Sequence, residues 1–333
     1  MTFVEGPVTV TVPATSANLG PGYDSLGLAL DLRDELTGEV ISTSSIHRVS
    51  TSSTTGERTL EVIVEGEGEG AVPLDESHLV IRSMRAAFEI IGKQPPGLRL
   101  HCVNRIPHAR GLGSSSAAII GGLVLARALV AGGELILDDE TLFRKAAEIE
   151  GHPDNVAPAF HGGFTIAGVD DVPSTGPSTG SGGPGPSGQR FFAVRTAVDP
   201  RISVVVFVPP TGVETKASRG LLPETVPHSD AAAGAGRTAL LVAALSDAPE
   251  HLHRATRDFL HQEYRRPAMP ESLALVDELR ADGVAAIVSG AGPTVLAFSS
   301  GVESAETTKL TARCPAGWAS HSLRVDMDGV RIL

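Results

Sequence analysis

The stretch Ile106-Pro-His-Ala-Arg-Gly-Leu-Gly-Ser-Ser-Ser-Ala-Ala118 constrains this chain more than any other. Gly111 and Gly113 carry no side chain, so a loop built on them can approach a ligand closely and reach positive φ. Three serines follow, then an Ala-rich apolar run to Val130 that predicts a buried helix. A Gly-rich loop opening a helix offers unpaired N–H groups and the positive end of the dipole, and phosphate suits both. A serine hydroxyl there can also help to hold Mg²⁺. The plainer alternative is a Gly/Ser loop capped by serine ahead of a core helix. Better-known loops do not fit. No Lys follows Gly113, against GxxxxGK[ST]. Ser116 stands where GxGxxG needs its third glycine, and Gly113 stands where a GxSxG hydrolase elbow needs its serine.

Three further bounds come from composition. At 333 residues, 41% hydrophobic and 20% charged, the chain is long and apolar enough for one large or two ordinary packed domains. A net charge of −12 argues against general nucleic-acid binding, which would show a basic stripe, but leaves room for a nucleotide ligand. Cys102 and Cys314 are the only cysteines and form no C-x-x-C pair, so neither a disulfide framework nor a structural zinc site is expected. Residues 1–13 lack a basic region followed by an apolar core, the mark of a signal peptide. The longest apolar run, 117–131, is broken by Arg127 and too short to span a bilayer. The expected location is the cytoplasm, with no membrane partner.

Residues 8–12 alternate Val and Thr between two prolines and read as a strand. The Gly-Pro-Gly turn of Pro13-Ala-Thr-Ser-Ala-Asn-Leu-Gly-Pro-Gly-Tyr-Asp24 then puts Asn18 and Asp24 on a loop before a second strand near 26–30. Such a loop can present ligand groups; the alternative is that the two side chains only satisfy the turn backbone. Strands are expected at 36–42, 60–64 and 98–103, a helix at 79–91, and a solvated acidic loop at 65–70. Asp138-Asp-Glu140 starts a helix that Gly151 and Pro153 stop after Glu150. His152-Pro-Asp-Asn155 follows at once, so several polar groups converge within a few residues. Residues 170–188, rich in Gly, Ser, Pro and Thr, read as a flexible loop and as the seam between two halves. A buried strand is expected at 202–208, with helices at 214–219 and 240–260. His251, His253 and His261 do not align on one helix face and read as solvated. His261-Gln-Glu-Tyr-Arg265 combines a helix end with a basic residue. Ser289-Gly-Ala-Gly-Pro-Thr294 is a second Gly-rich turn between two strands.

Three motifs, 13–24, 107–116 and 289–294, together resemble those of the GHMP kinase superfamily, in an order that covers nearly the whole chain. The first motif, Gly151-His-Pro-Asp-Asn-Val-Ala-Pro158, and the segments ending in Arg219 and Arg265 resemble its homoserine kinase branch. The resemblance implies an α+β fold in two domains. The N-terminal one (1–168) would be like domain 2 of ribosomal protein S5 and would bind ATP. A loop (169–190) would lead to a ferredoxin-like C-terminal domain (191–333), with the active site in the cleft between them. It implies phosphorylation of L-homoserine by ATP with Mg²⁺, in threonine biosynthesis, and admits a homodimer. Pro107, His108, Ala109, Arg110, Gly111, Leu112, Gly113, Ser114, Ser115 and Ser116 would form the nucleotide loop. Ser115 and Glu150 would hold Mg²⁺. Asn18, Asp24, His152, Arg219 and Arg265 would bind the amino acid, and Asn155 would lie beside the reacting hydroxyl, making Glu150 and Asn155 the catalytic pair. His78 stands on the adenine side, where the family often has Asn.

Physical chemistry agrees with this division. An ammonium group needs a carboxylate such as Asp24, and a carboxylate is well met by forked arginine donors. An amide at position 155 cannot take a proton from an alcohol, so the hydroxyl proton would pass to the γ-phosphate. Another alcohol kinase of the superfamily, such as mevalonate kinase, is the alternative enzyme, although Arg219 with Asp24 favours a zwitterion. A silent nucleotide or amino-acid sensor is the alternative outside enzymes, and Glu150, residues 114–116 and Asn155 argue against it.

Overall fold

The computed structural model describes residues 2–41, 59–171, 189–213 and 215–333. The seam loop, most of residues 170–188, and the Ser/Thr-rich stretch after residue 41 lie outside these. In chain order the first unit holds β1 (Val8–Ala17), β2 (Leu26–Val40), β3 (Thr59–Gly66), α1 (Leu79–Ile91), β4 (Gly97–Asn104), α2 (Ser114–Ala128), α3 (Asp139–Glu150), α4 (Val156–His161), β5 (Phe164–Asp171) and β6 (Gln189–Thr196). The second holds β7 (Ile202–Val208), α5 (Thr215–Arg219), α6 (His228–Ser246), α7 (Leu252–Ala255), α8 (Pro270–Ala281), β8 (Ala286–Val288), β9 (Val295–Ser300), α9 (Ala305–Thr311) and β10 (Ala319–Arg324); β11 (Arg331–Ile332) ends the chain.

The first sheet runs β11-β1-β2-β4-β3, with β5 paired to β2 and β6 to β5. β2 is one 15-residue strand where the sequence suggested two. Its start pairs with β5 and its end with β4, while β1 follows it throughout. The charged middle of β2 reads as a gap because two of its side chains have specific partners: Arg33 with Asp326, and Asp34 with the backbone before the phosphate loop. The second sheet is antiparallel in the order β10-β7-β9-β8, the ferredoxin-like arrangement. Alternation along β7 splits its side chains between two cores. Val204 and Val206 join α6 and the core of the first unit, whereas Val205 and Phe207 pack against Leu273, Val276 and Leu279 of α8.

Sheet membership and sequence halves do not coincide. β6 still pairs with β5, and after β10 the chain returns to the first sheet, where Asp326 N–H bonds to Ala29 O and β11 pairs with β1. The helix expected at 240–260 is displaced. α6 starts at His228, on an exposed Ala-rich stretch with no apolar stripe to reveal it, and ends at Ser246 ahead of Pro249. Among the described residues no helix is long and apolar enough to cross a membrane.

Candidate active site

A cleft of about 470 Å³ is lined by residues of all three motifs together with Val72, His78, Glu150, His152, Asn155, Arg219 and Arg265. The motifs hold one another in place. Asn18 Nδ2 donates to Gly290 O (2.9 Å) while its Oδ1 accepts from Asp24 N–H (2.9 Å), so Asn18 both satisfies the turn and ties the first motif to the third. Ser289 Oγ donates to Gly111 O (2.6 Å) and is hydrogen-bonded to Ser16 Oγ (2.8 Å). Thr294 N–H reaches Arg110 O. This close stacking is why Gly111 must be glycine: at φ 77° a Cβ would sit 2.2 Å from Ser289 O.

Gly113, at φ 69°, is the cap residue of α2, and no side chain caps this helix. Serine capping is thus corrected. The hydroxyls of Ser115 and Ser116 turn instead to Glu150 Oε1, at 2.6 and 3.0 Å, so no side chain caps the first N–H groups of α2. Ser115 is exposed and Ser116 buried. Arg110 behaves differently from its neighbours. Its guanidinium donates to the carbonyls of His108, Pro209 and Pro210, so it fastens the loop to the second unit.

Asp24 and Arg219 form a two-pronged ion pair (2.6 and 3.0 Å), and Arg219 Nη1 also donates to Tyr23 Oη. Arg265 is only 1% exposed, yet no acidic side chain pairs with it among the described residues. Its Nη1 meets His261 Nδ1 (3.0 Å) and Gly290 O (3.2 Å), and its buried Nε has no partner among the described residues. Burial disfavours its charge, but an arginine keeps its proton. His261 is therefore not solvated: it is 1% exposed, and its Nε2–H donates to Gly20 O at 2.7 Å. No group of three or more His, Cys, Asp or Glu side chains able to hold a metal occurs among the described residues.

His152 Nδ1 and Asp154 Oδ1 are 2.8 Å apart. Burial works against a proton on His152, but the bond to Asp154 and its charge, with Glu150 adding to them, win and raise its pKa above the usual histidine value. His78, which also lines the cleft, is 5% exposed, and its Nδ1 has no partner among the described residues. Burial, then the nearby His108, lower its pKa below the usual histidine value, and it lines the cleft together with Val72, Pro73 and Leu79. Sequence reasoning also passed over Asp34, which lines the cleft floor and accepts from Arg105 and Ile106 N–H (2.6 and 2.9 Å). Burial lifts its pKa to about 6.

The family models for the GHMP kinases N terminal domain and GHMP kinases C terminal match residues 78–163 and 239–312. Homoserine kinase of Streptomyces avermitilis is 49% identical over 331 residues, 99% of this chain and 97% of that one. The chain belongs to the homoserine kinase family of GHMP kinases. Homoserine kinase of Mycolicibacterium smegmatis is 44% identical, covering 87% of this chain and 84% of its own. Among solved structures, homoserine kinase from Cytophaga hutchinsonii matches the fold with a TM-score of 0.77 over 100% and 99% of the two chains, at 23% identity. A putative homoserine kinase from Listeria monocytogenes matches at 0.68, with 29% identity and 98% and 99% coverage. As a member of this family the chain is a kinase with an α+β two-domain fold.

Proposed function

We propose that the chain transfers the γ-phosphoryl group of ATP to the side-chain hydroxyl of L-homoserine, giving O-phospho-L-homoserine and ADP for threonine biosynthesis. The observation that carries this reading is Arg265, a buried cation on the cleft wall with no acidic partner among the described residues. A buried charge left unpaired is costly, and an anionic ligand group offsets that cost. The neighbouring Asp24–Arg219 pair fits the same ligand. An α-amino acid can exchange that one ion pair for two, with its ammonium on Asp24 and its carboxylate on the arginines. Mevalonate has no ammonium group and leaves Asp24 nothing to bind.

The phosphates of ATP would lie over residues 107–116, against the N–H groups that open α2. Ser115 and Glu150 supply adjoining hard oxygens (2.6 Å apart), a donor set that suits Mg²⁺, which keeps most of its waters. Bound there, Mg²⁺ would neutralise phosphate charge. Asn155 would orient the hydroxyl oxygen toward the γ-phosphorus. As that O–P bond forms, the bond from the γ-phosphorus to the β-bridging oxygen breaks, and the hydroxyl proton leaves through a phosphoryl oxygen. Positioning and charge stabilisation carry most of the catalysis in such transfers. The test is an ADP-release assay with L-homoserine, mevalonate and galactose as acceptors. Turnover of homoserine alone is expected. Equal or better turnover of mevalonate, or none with any acceptor, overturns the reading.

A further inference from the structure

We infer that Thr15 is a positioning residue for phosphoryl transfer, holding the Asn155 carboxamide so that its amine faces the cleft. The inference rests on the proposed place of Asn155 beside the reacting hydroxyl. A carboxamide has one accepting and one donating end, and which end meets the substrate decides what it can do. Thr15 Oγ1 donates to Asn155 Oδ1 at 2.8 Å. Asn155 lines the cleft, whereas Thr15 is fully buried at the end of β1 and lies behind it. With the oxygen engaged from behind, the amine remains for the cleft. Asn155 then donates a hydrogen bond to the substrate or phosphoryl oxygen and holds the hydroxyl lone pair on its line of attack.

The surroundings are built around this bond. Thr15 N–H donates to Leu112 O (3.0 Å), which sets the hydroxyl against the phosphate loop. A Cβ on Gly113 would come 1.8 Å from Thr15 Oγ1 and 3.2 Å from Asn155 Oδ1. Glycine at 113 therefore serves two needs, the left-handed turn into α2 and the space that the Thr15–Asn155 bond occupies. Thr15 thus links the first motif to the phosphate loop through its backbone N–H and to the residue proposed at the reacting oxygen through its hydroxyl.

Thr15→Val keeps the shape of the side chain and removes its donor. It should lower kcat about 10- to 100-fold, because the freed carboxamide loses its fixed orientation. The KM values for homoserine and ATP should stay within about threefold, as expected for an interaction used in the transfer step. Thr15→Ser retains the hydroxyl and should restore kcat to within about threefold of wild type. Asn155→Asp, which presents an oxygen to the cleft, should lose kcat at least as severely as Thr15→Val. Thermal unfolding of each variant is followed alongside, and Thr15→Ala replaces Thr15→Val if the latter does not fold. Wild-type kcat in the hydroxyl-free variant, equal losses in Thr15→Val and Thr15→Ser, or an active Asn155→Asp would each overturn the role of Thr15. Wild-type enzyme inactive on homoserine, or an Asn155→Ala variant of full activity, would overturn the site assignment itself and the inference with it.

Discussion

Asp34→Asn tests how the phosphate loop is anchored. Asp34 is 5% exposed and its Oδ1 accepts two backbone N–H groups at the point where β4 turns into the loop. Burial outweighs these bonds and holds the carboxyl at about 6 instead of 3.8. The folded state therefore binds the proton more tightly than the unfolded chain, and ionisation of Asp34 costs stability. That cost is absent below about pH 3.8, grows as pH rises to about 6, and is constant above it. At 1.36 kcal/mol per pH unit the gap corresponds to roughly 3 kcal/mol at neutral pH and about half of that at pH 5. Asn keeps the accepting oxygen and carries no charge. Asp34→Asn should accordingly be more stable than wild type at pH 7.5, by about 1–3 kcal/mol once relaxation is allowed for, with the advantage shrinking toward acid pH. Urea unfolding of both proteins between pH 5 and pH 8 measures the difference directly, and the other titrating groups cancel in the comparison. An Asn variant that is less stable at pH 7.5, or an advantage that grows as the pH falls, would refute the argument.

Glu150→Gln should cut kcat by several kcal/mol equivalent while the Kd for homoserine changes little, since it removes the charged partner of Ser115 and the proposed Mg²⁺ ligand. Steady-state kinetics at ordinary Mg²⁺ decide this, and an unchanged kcat sinks the assignment. Arg219→Ala and Arg265→Ala should each cost roughly 2–5 kcal/mol, mainly as a higher KM for homoserine with little change in the KM for ATP. Arg265→Lys should rescue in part, because an ammonium can replace Nη1 at His261 and Gly290 but brings no second planar nitrogen to a substrate carboxylate. Wild-type homoserine KM in both alanine variants would remove the carboxylate-gripping role.

What could be read from the chain alone was whatever a few neighbouring residues determine. α1 has its apolar side chains, Val80, Ile81, Met84, Ala87, Phe88 and Ile91, at helical spacing, and its ends match the expected ones. The end of α3 was legible because Gly151 takes the left-handed cap that glycine favours. Groups whose partners lie far along the chain were hidden. Asp34 meets the backbone some seventy residues on, Arg110 meets carbonyls about a hundred residues on, and His261 meets Gly20 across 241. Nothing in the local sequence separates these charges from solvated ones. The start of α6 was hidden for the opposite reason, since an Ala-rich exposed helix has propensity but no stripe.

The three motifs were visible for a reason that is only half chemical. A ligand-binding loop needs few fixed residues if its scaffold is independent of it, but here each motif is part of the scaffold of the other two. Asn18 is engaged by Gly290, Ser16 by Ser289, and Gly111 by both Ser289 and Gly292. Substituting any of them disturbs the neighbouring loops before it reaches the ligand. Among the described residues three buried side-chain atoms lack a partner, Arg265 Nε, His78 Nδ1 and Thr294 Oγ1, and the two whose residues line the cleft, Arg265 and His78, say more about what enters it than the motifs do. Both line the same cleft, and in the proposed reaction Arg265 would meet the carboxylate of the amino acid and His78 the nucleotide.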